Sequence, residues 1–187
     1  MADTNSPKPV SVLFVCLGNI CTPTAPPLPP PPLTPPGRST MSEGVFTSLA
    51  PSHPLIKTID SCGTGAYHIG SQPDRRTLST LKAHGITTYR HKARKFDAGR
   101  DFDAFEYILA MDAENLADLE EERRRVARKR GGDEGLGKVM LFGEFGGKGE
   151  EVEDPYYGGE EGFEEAYLQA VRFSGGFLER LEKGELS

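Results

Sequence analysis

Val12-Leu-Phe-Val-Cys16-Leu-Gly-Asn-Ile-Cys21 opens with a short β-branched and aromatic run and passes into a glycine-containing turn, and its reading decides the fold. Consecutive apolar residues without polar alternation are the pattern of a strand buried on both faces. That strand ends at Cys16. Downstream, residues 39–50 carry Met41, Val45, Phe46 and Leu49 at helical spacing, with Thr40 and Glu43 placed as a capping box. A second strand is expected over 55–61, followed by a glycine-punctuated loop and a helix over 75–84 that Gly85 ends. A third strand is expected over 105–111, a long charged helix over 112–130, and a short strand over 138–142. A closing helix over 163–181 puts Phe163, Tyr167, Ala170, Val171, Phe177 and Leu178 on its apolar side. Strand and helix alternate, so the expected fold class is α/β: a three-layer sandwich whose central parallel sheet is flanked by helices. Ligands of such sheets bind at the carboxyl ends of the strands, and Cys16, with the loop after the first strand, lies at one such end.

Between Cys21 and Arg38 the pattern breaks. Residues 22–37 hold nine of the fifteen prolines in sixteen positions. Proline removes backbone donors and fixes φ near polyproline II, so the segment reads as an extended, solvated insert. The domain reading is a flexible leader over 1–9 and a single domain over 10–187, interrupted by 22–37.

Composition narrows the function. The chain has 187 residues and a formal net charge of -6, with an isoelectric point near 5.3, which argues against a general nucleic-acid binder. The longest apolar run, 12–17, is far short of the roughly 20 residues that span a bilayer, and the polar start lacks a signal-peptide pattern. Cys16, Cys21 and Cys62 make an odd set without a disulfide framework, which suits a reducing, cytoplasmic setting. No cofactor is implied, and none of the four histidines is spaced to suggest a metal.

With the insert removed, Cys16-Leu17-Gly18-Asn19-Ile20-Cys21 runs directly into Arg38-Ser39, a C-x5-R loop. Successive backbone N–H groups entering a helix N-terminus hold a phosphate dianion, and Gly18 permits the tight turn. The same field favours a thiolate at Cys16, and the planar fork of Arg38 suits two phosphate oxygens. Asp154-Pro-Tyr156-Tyr157-Gly158 follows late in the chain.

These two motifs closely resemble the low-molecular-weight protein tyrosine phosphatases. So do Asp60-Ser61 with Gly63-Thr64, Gly70 with Pro73-Asp74, Ala93-Arg94 after His91, Ala110-Met-Asp112 and Asn115-Leu116. The resemblance implies hydrolysis of phosphotyrosine proteins and small aryl phosphates through a phosphocysteine on Cys16. Arg38 would stabilise the transferring group and Asp154 would serve as general acid and then base. The phosphate would be bound by Leu17, Gly18, Asn19, Ile20, Cys21 and Ser39, with Ser39 assisting the leaving thiolate. His91 would support the loop with Asn19, and Tyr67, Tyr156 and Tyr157 would wall the pocket. A reversible Cys16–Cys21 disulfide is also implied, although on the residues alone Cys21 is equally a packing residue.

Rival readings remain open at this stage. An arsenate reductase of the same fold would reuse the oxyanion loop, but Asp154-Pro-Tyr-Tyr has no place in it. A catalytically dead phosphotyrosine binder, or an SH3 or WW ligand acting through 22–37, is the non-enzymatic alternative. Displacement of Arg38 by the insert would strongly reduce activity, and the abrupt resumption of the motif there is that of a retained intron or gene-model error. Gly132-x4-Gly137-Lys138 mimics a nucleotide loop but lacks the following hydroxyl and helix. The arginines of 123–130 face Glu120 to Glu122 at helical spacing, the pattern of a solvated face.

Overall fold

Strand β1 (Val10–Cys16) is buried along its whole length, and its neighbours explain why. In the computed structural model, which describes residues 8–16, 37–65, 69–155 and 159–186, β1 lies between β2 (Ile56–Gly63) and β3 (Tyr107–Ala110). The sheet order is β2-β1-β3-β4, with β4 at Lys138–Leu141, and every pairing is parallel. Side chains alternate across a strand, so Val12, Phe14 and Cys16 enter one core and Leu13 and Val15 the other.

The first core is covered by α1 (Arg38–Leu49), α2 (Arg75–Ala83) and α5 (Gly159–Glu182), and the second by α3 (Ala98–Ala104) and α4 (Ala113–Arg130). The expected sandwich, with helices on both faces of a parallel sheet, is the observed one. Edge-to-face rings tie the first layer together: Phe14 meets Phe46 at 5.4 Å and Phe142 at 5.1 Å, and Phe177 meets Phe46, Tyr107 and Phe145 at 5.6, 5.4 and 5.0 Å. Such pairs add about 0.5–1.5 kcal/mol each beyond the area they bury.

Several boundaries differ from the sequence reading. Helix α3 was not expected; Asp97 caps it by accepting from the Gly99 N–H, and the buried Asp101 then accepts from Arg94. Phe142 leaves the strand to open a 3-10 turn, Phe142–Gly146. Helix α5 starts earlier than residue 163. Leu49, placed on the buried side of α1, is 44% exposed. The capping box is also corrected: Gly37 holds the N-cap position without a side-chain bond, and Glu43 turns inward instead. Gly85 does end α2, at φ +82° with its N–H on the Lys82 carbonyl. The charged face of α4 likewise carries the expected Glu121–Arg125 and Glu122–Arg125 pairs. Among the described residues, no helix is long and apolar enough to cross a membrane.

Two adjacent glycines in α5 show how closely it approaches the 3-10 turn. A Cβ on Gly176 would run into the Phe145 carbonyl, whereas one on Gly175 would meet nothing within 4 Å. Gly175→Ala should therefore stabilise the protein by about 0.5–1 kcal/mol through helix propensity. Gly176→Ala should destabilise it by about 1–3 kcal/mol by overpacking against fixed backbone. Urea denaturation of both variants checks the opposite signs.

Candidate active site

The carboxyl end of β1 places Cys16 where α1 begins. Cys16 is 4% exposed, its carbonyl accepts from the Thr64 N–H at 3.3 Å, and its sulfur accepts from the Ser39 hydroxyl at 3.0 Å. Ser39 is the second residue of α1, a helix with no acidic side chain in its first turn. A sulfur or an anion at this point faces the positive end of the helix dipole. The two halves of the split motif thus meet, although 22 positions separate Cys16 from Arg38.

Arg38 points towards a different group of residues. Its Nη1 donates to Asp112 Oδ2 at 2.7 Å and to the Val152 carbonyl at 3.2 Å. Asp112 does two jobs, because its other oxygen accepts from the Asn115 N–H and caps α4. Val152 belongs to the strap that carries Asp154, and its own N–H donates to the Met111 carbonyl at 2.8 Å. The strap also touches the start of α1: a Cβ on Gly37 would stand 3.7 Å from Pro155 Cγ. Arg38, Asp112, Asp154 and Gln169 line one open hollow of about 650 Å³, together with Val152 and four further carboxylates, Glu114, Glu150, Glu151 and Glu153.

Behind α1 lies a buried polar network. Glu43 Oε2 accepts from the Ser61 hydroxyl at 2.6 Å and the Tyr89 hydroxyl at 2.7 Å, and His91 Nδ1 stands 3.1 Å away. Burial, reinforced by this carboxylate, pushes the Tyr89 phenol far above its ordinary range. Asp60, 3.9 Å from His91, accepts from Arg94 at 2.7 Å, and Arg94 continues to Asp101 at 2.8 Å. The ligand atoms of Glu43, Asp60 and His91 lie within 4.8 Å of one another, a trio that spacing in the sequence did not reveal. Glu43 accepts hydrogen bonds from Ser61 and Tyr89, and Asp60 from Arg94, so the set serves as a hydrogen-bonded support.

Cys62 lies on the opposite face of the sheet from Cys16. Burial raises its thiol pKa well above the usual value, against the pull of Arg94. It is an inert core thiol.

The structure therefore brings Cys16 onto Ser39, and Arg38 onto the strap of Asp154. His91 sits in the support behind α1. Leu17, Gly18, Asn19, Ile20, Cys21, Tyr67, Tyr156, Tyr157 and nearly all of the proline-rich segment lie outside the described residues. Sequence reasoning gave Glu43 only a capping role, which the structure replaces, and assigned no function to Asp112 or Gln169. For Gln169 a signal existed, a polar residue on the face of α5 that also presents Phe163, Ala166 and Phe173 to the core.

The family model described as low molecular weight phosphotyrosine protein phosphatase matches residues 35–186 and begins beyond Cys16. A Schizosaccharomyces pombe protein of that name is 44% identical over 179 residues, covering 93% of this chain and 98% of its own length. The human protein of that name is 38% identical over 173 residues, covering 91% and 94%. Among solved structures, a protein tyrosine phosphatase from Entamoeba histolytica with Hepes in its active site superposes with a TM-score of 0.72. Its identity is 31%, and the match covers 95% of this chain and 99% of that one. A Drosophila arginine phosphatase gives 0.69 at 34% identity, covering 90% and 96%.

Truncating the support separates its parts. Glu43→Leu leaves two hydroxyls and His91 without their acceptor and should cost about 3 kcal/mol, whereas Tyr89→Phe removes one bond and should cost about 1 kcal/mol. Thermal or urea unfolding measures both, and comparable costs would show that the carboxylate is not the hub.

Proposed function

This chain belongs to the low molecular weight phosphotyrosine protein phosphatase family, enzymes that act on phosphotyrosine-containing proteins, and we propose that Cys16, Arg38 and Asp154 carry the reaction. The observation behind this assignment is the 3.0 Å bond from Ser39 to the Cys16 sulfur at the start of α1. The next residue back along that helix, Arg38, shares a hollow with Asp154.

In the first step the Cys16 thiolate attacks phosphorus. The P–O bond to the aryl group breaks, and the Asp154 carboxylic acid transfers its proton to the departing phenolate oxygen. Among the described residues Arg38 donates through Nη1 to Asp112 and Val152, which would leave its Nε–Nη2 edge to bind two phosphoryl oxygens. In the second step water attacks phosphorus while the Asp154 carboxylate takes its proton. The S–P bond breaks, and the Ser39 hydroxyl stabilises the sulfur that leaves. Backbone amides over 17–21 would complete the oxyanion cradle, with Asn19 tied to the support of His91. Tyr67, Tyr156 and Tyr157 would wall the aryl ring.

The proline-rich segment acts on this machinery through continuity. The bond from Ser39 to Cys16 supports the meeting of the loop's two ends, so the proposed effect is on Arg38 and on the amides that should pass directly into α1. A displacement near 1 Å in such a cradle is worth about a hundredfold in rate. We also place the protein in the cytoplasm on its cysteine usage. Docking of the proline tract on SH3 or WW domains has only its composition in favour.

Deleting residues 22–37 should raise kcat/KM on an aryl phosphate about a hundredfold. Cys16→Ser should abolish turnover both with and without the deletion. Equal rates before and after deletion would show that the segment does not impair the loop. Residual turnover in Cys16→Ser would remove the nucleophile assignment.

A further inference from the structure

The strap that carries Asp154 has no regular backbone structure over 151–154, so its path is set by contacts with neighbouring elements. One face of the strap is pinned at Val152 by the Met111 carbonyl and Arg38. Besides the bond from the Ala113 N–H to the Glu151 side chain, the backbone on either side of Val152 is held by one side chain, Gln169 of α5. Its Oε1 accepts from the Glu153 N–H at 3.1 Å and its Nε2 donates to the Glu151 carbonyl at 3.2 Å.

Gln169 is 7% exposed and neighbours the buried Ala166, Ala170 and Phe173. An amide buried there is stabilising only if both of its ends are satisfied, and the strap satisfies both. The amide supplies an acceptor and a donor to an N–H and a carbonyl two residues apart, as a neighbouring strand would. Glu153, one of the two anchored residues, directly precedes Asp154.

We propose that Gln169 is the positioning residue for proton transfer at this site: by clamping the backbone on both sides of Val152 it holds the Asp154 carboxyl at the leaving-group oxygen. The inference rests on the reading of Asp154 as the general acid. Gln169 does not touch the reacting atoms, so its loss should resemble partial loss of the acid and leave nucleophile and phosphate binding in place.

The test uses the full-length chain and two substrates. Phenyl phosphate expels a strongly basic phenolate that needs the acid, whereas 4-nitrophenyl phosphate expels a weakly basic one that needs it little. Gln169→Leu should lower kcat/KM about tenfold on phenyl phosphate and less than about twofold on the nitro ester, a fraction of what a general acid contributes. Gln169→Met, closer in length, serves as the second variant should leucine disturb the fold. Val171→Ala on the same helix should lower the melting temperature without changing the ratio between esters.

Amide hydrogen exchange supplies a readout independent of turnover. The Glu153 amide should exchange about tenfold faster in Gln169→Leu, the loss of roughly one net hydrogen bond, while the Val152 amide stays protected. Equal losses on both esters, or unchanged exchange at Glu153, would overturn the positioning role. Asp154→Asn, measured on the same two esters, separates the premise from the inference. An ester-independent loss there defeats the acid assignment itself, whereas an ester-selective loss there but not in Gln169→Leu defeats only Gln169.

Discussion

The hydrogen bond from Ser39 to the Cys16 sulfur joins the last residue of the central strand to the first turn of a helix, across 23 positions of chain. Its 3.0 Å length sets the relation between a sulfur and a helix dipole, and both of its ends are immobile for independent reasons. Cys16 ends a strand paired on both sides, and α1 is fixed by Met41, Val45 and Phe46 in the aromatic core. Ser39 and Cys16 therefore need no rearrangement to meet. Two rigid elements deliver them, as preorganised chemistry requires.

Rigidity on the far side of α1 comes from polar groups. Glu43 lies one turn beyond Ser39 and is anchored by Ser61, Tyr89 and His91, whose chain positions lie on β2 and the segment after α2. An isolated buried carboxylate would be strongly destabilising. Here its Oε2 accepts from two hydroxyls beside His91, and the continuation through Asp60 and Arg94 to Asp101 ties α1 to α3 on the opposite face of the sheet. Apolar contacts alone would resist sliding of α1 less well, because they have no preferred direction, whereas two directional hydrogen bonds and the nearby His91 ring on one carboxylate oxygen constrain its position.

These features differ in how legible they were in the sequence. The strand at 12–15, the alternation that makes the sheet parallel and the C-x5-R halves were readable because each depends on local patterning or chemical identity. The end of α2 at Gly85 was readable for the same reason, since few residues tolerate its φ of +82°. Glu43 was misread as a cap because Thr40-x-x-Glu43 is a valid local signal; tertiary partners from distant segments overrode it. Helix α3 escaped notice because its stability comes from Phe102 in the second core and from the Arg94–Asp101 pair, not from a repeating pattern in seven residues. Gln169 gave only the weak signal of a polar residue on an apolar helix face, which names no partner. Its role exists only because α5 passes beside a strap some eighteen positions earlier.

Charge explains why the loop must be so well placed. The chain carries a net charge of -6, and six carboxylates line the hollow around Arg38. A phosphate dianion approaching this mouth gains nothing from the general field, and at physiological salt such fields fade over about 8 Å. Under the proposed function, attraction comes from groups in direct contact, among them the guanidinium of Arg38 and the N-terminus of α1. Part of the Arg38 charge is already offset by Asp112 at 2.7 Å, an arrangement that fixes its orientation at some cost in attraction. The same sixteen residues inserted at the exposed turn after Gly131 would cost chain entropy and little else. Between Cys21 and Arg38 they fall instead between the strand that ends at Cys16 and the helix that begins at Arg38.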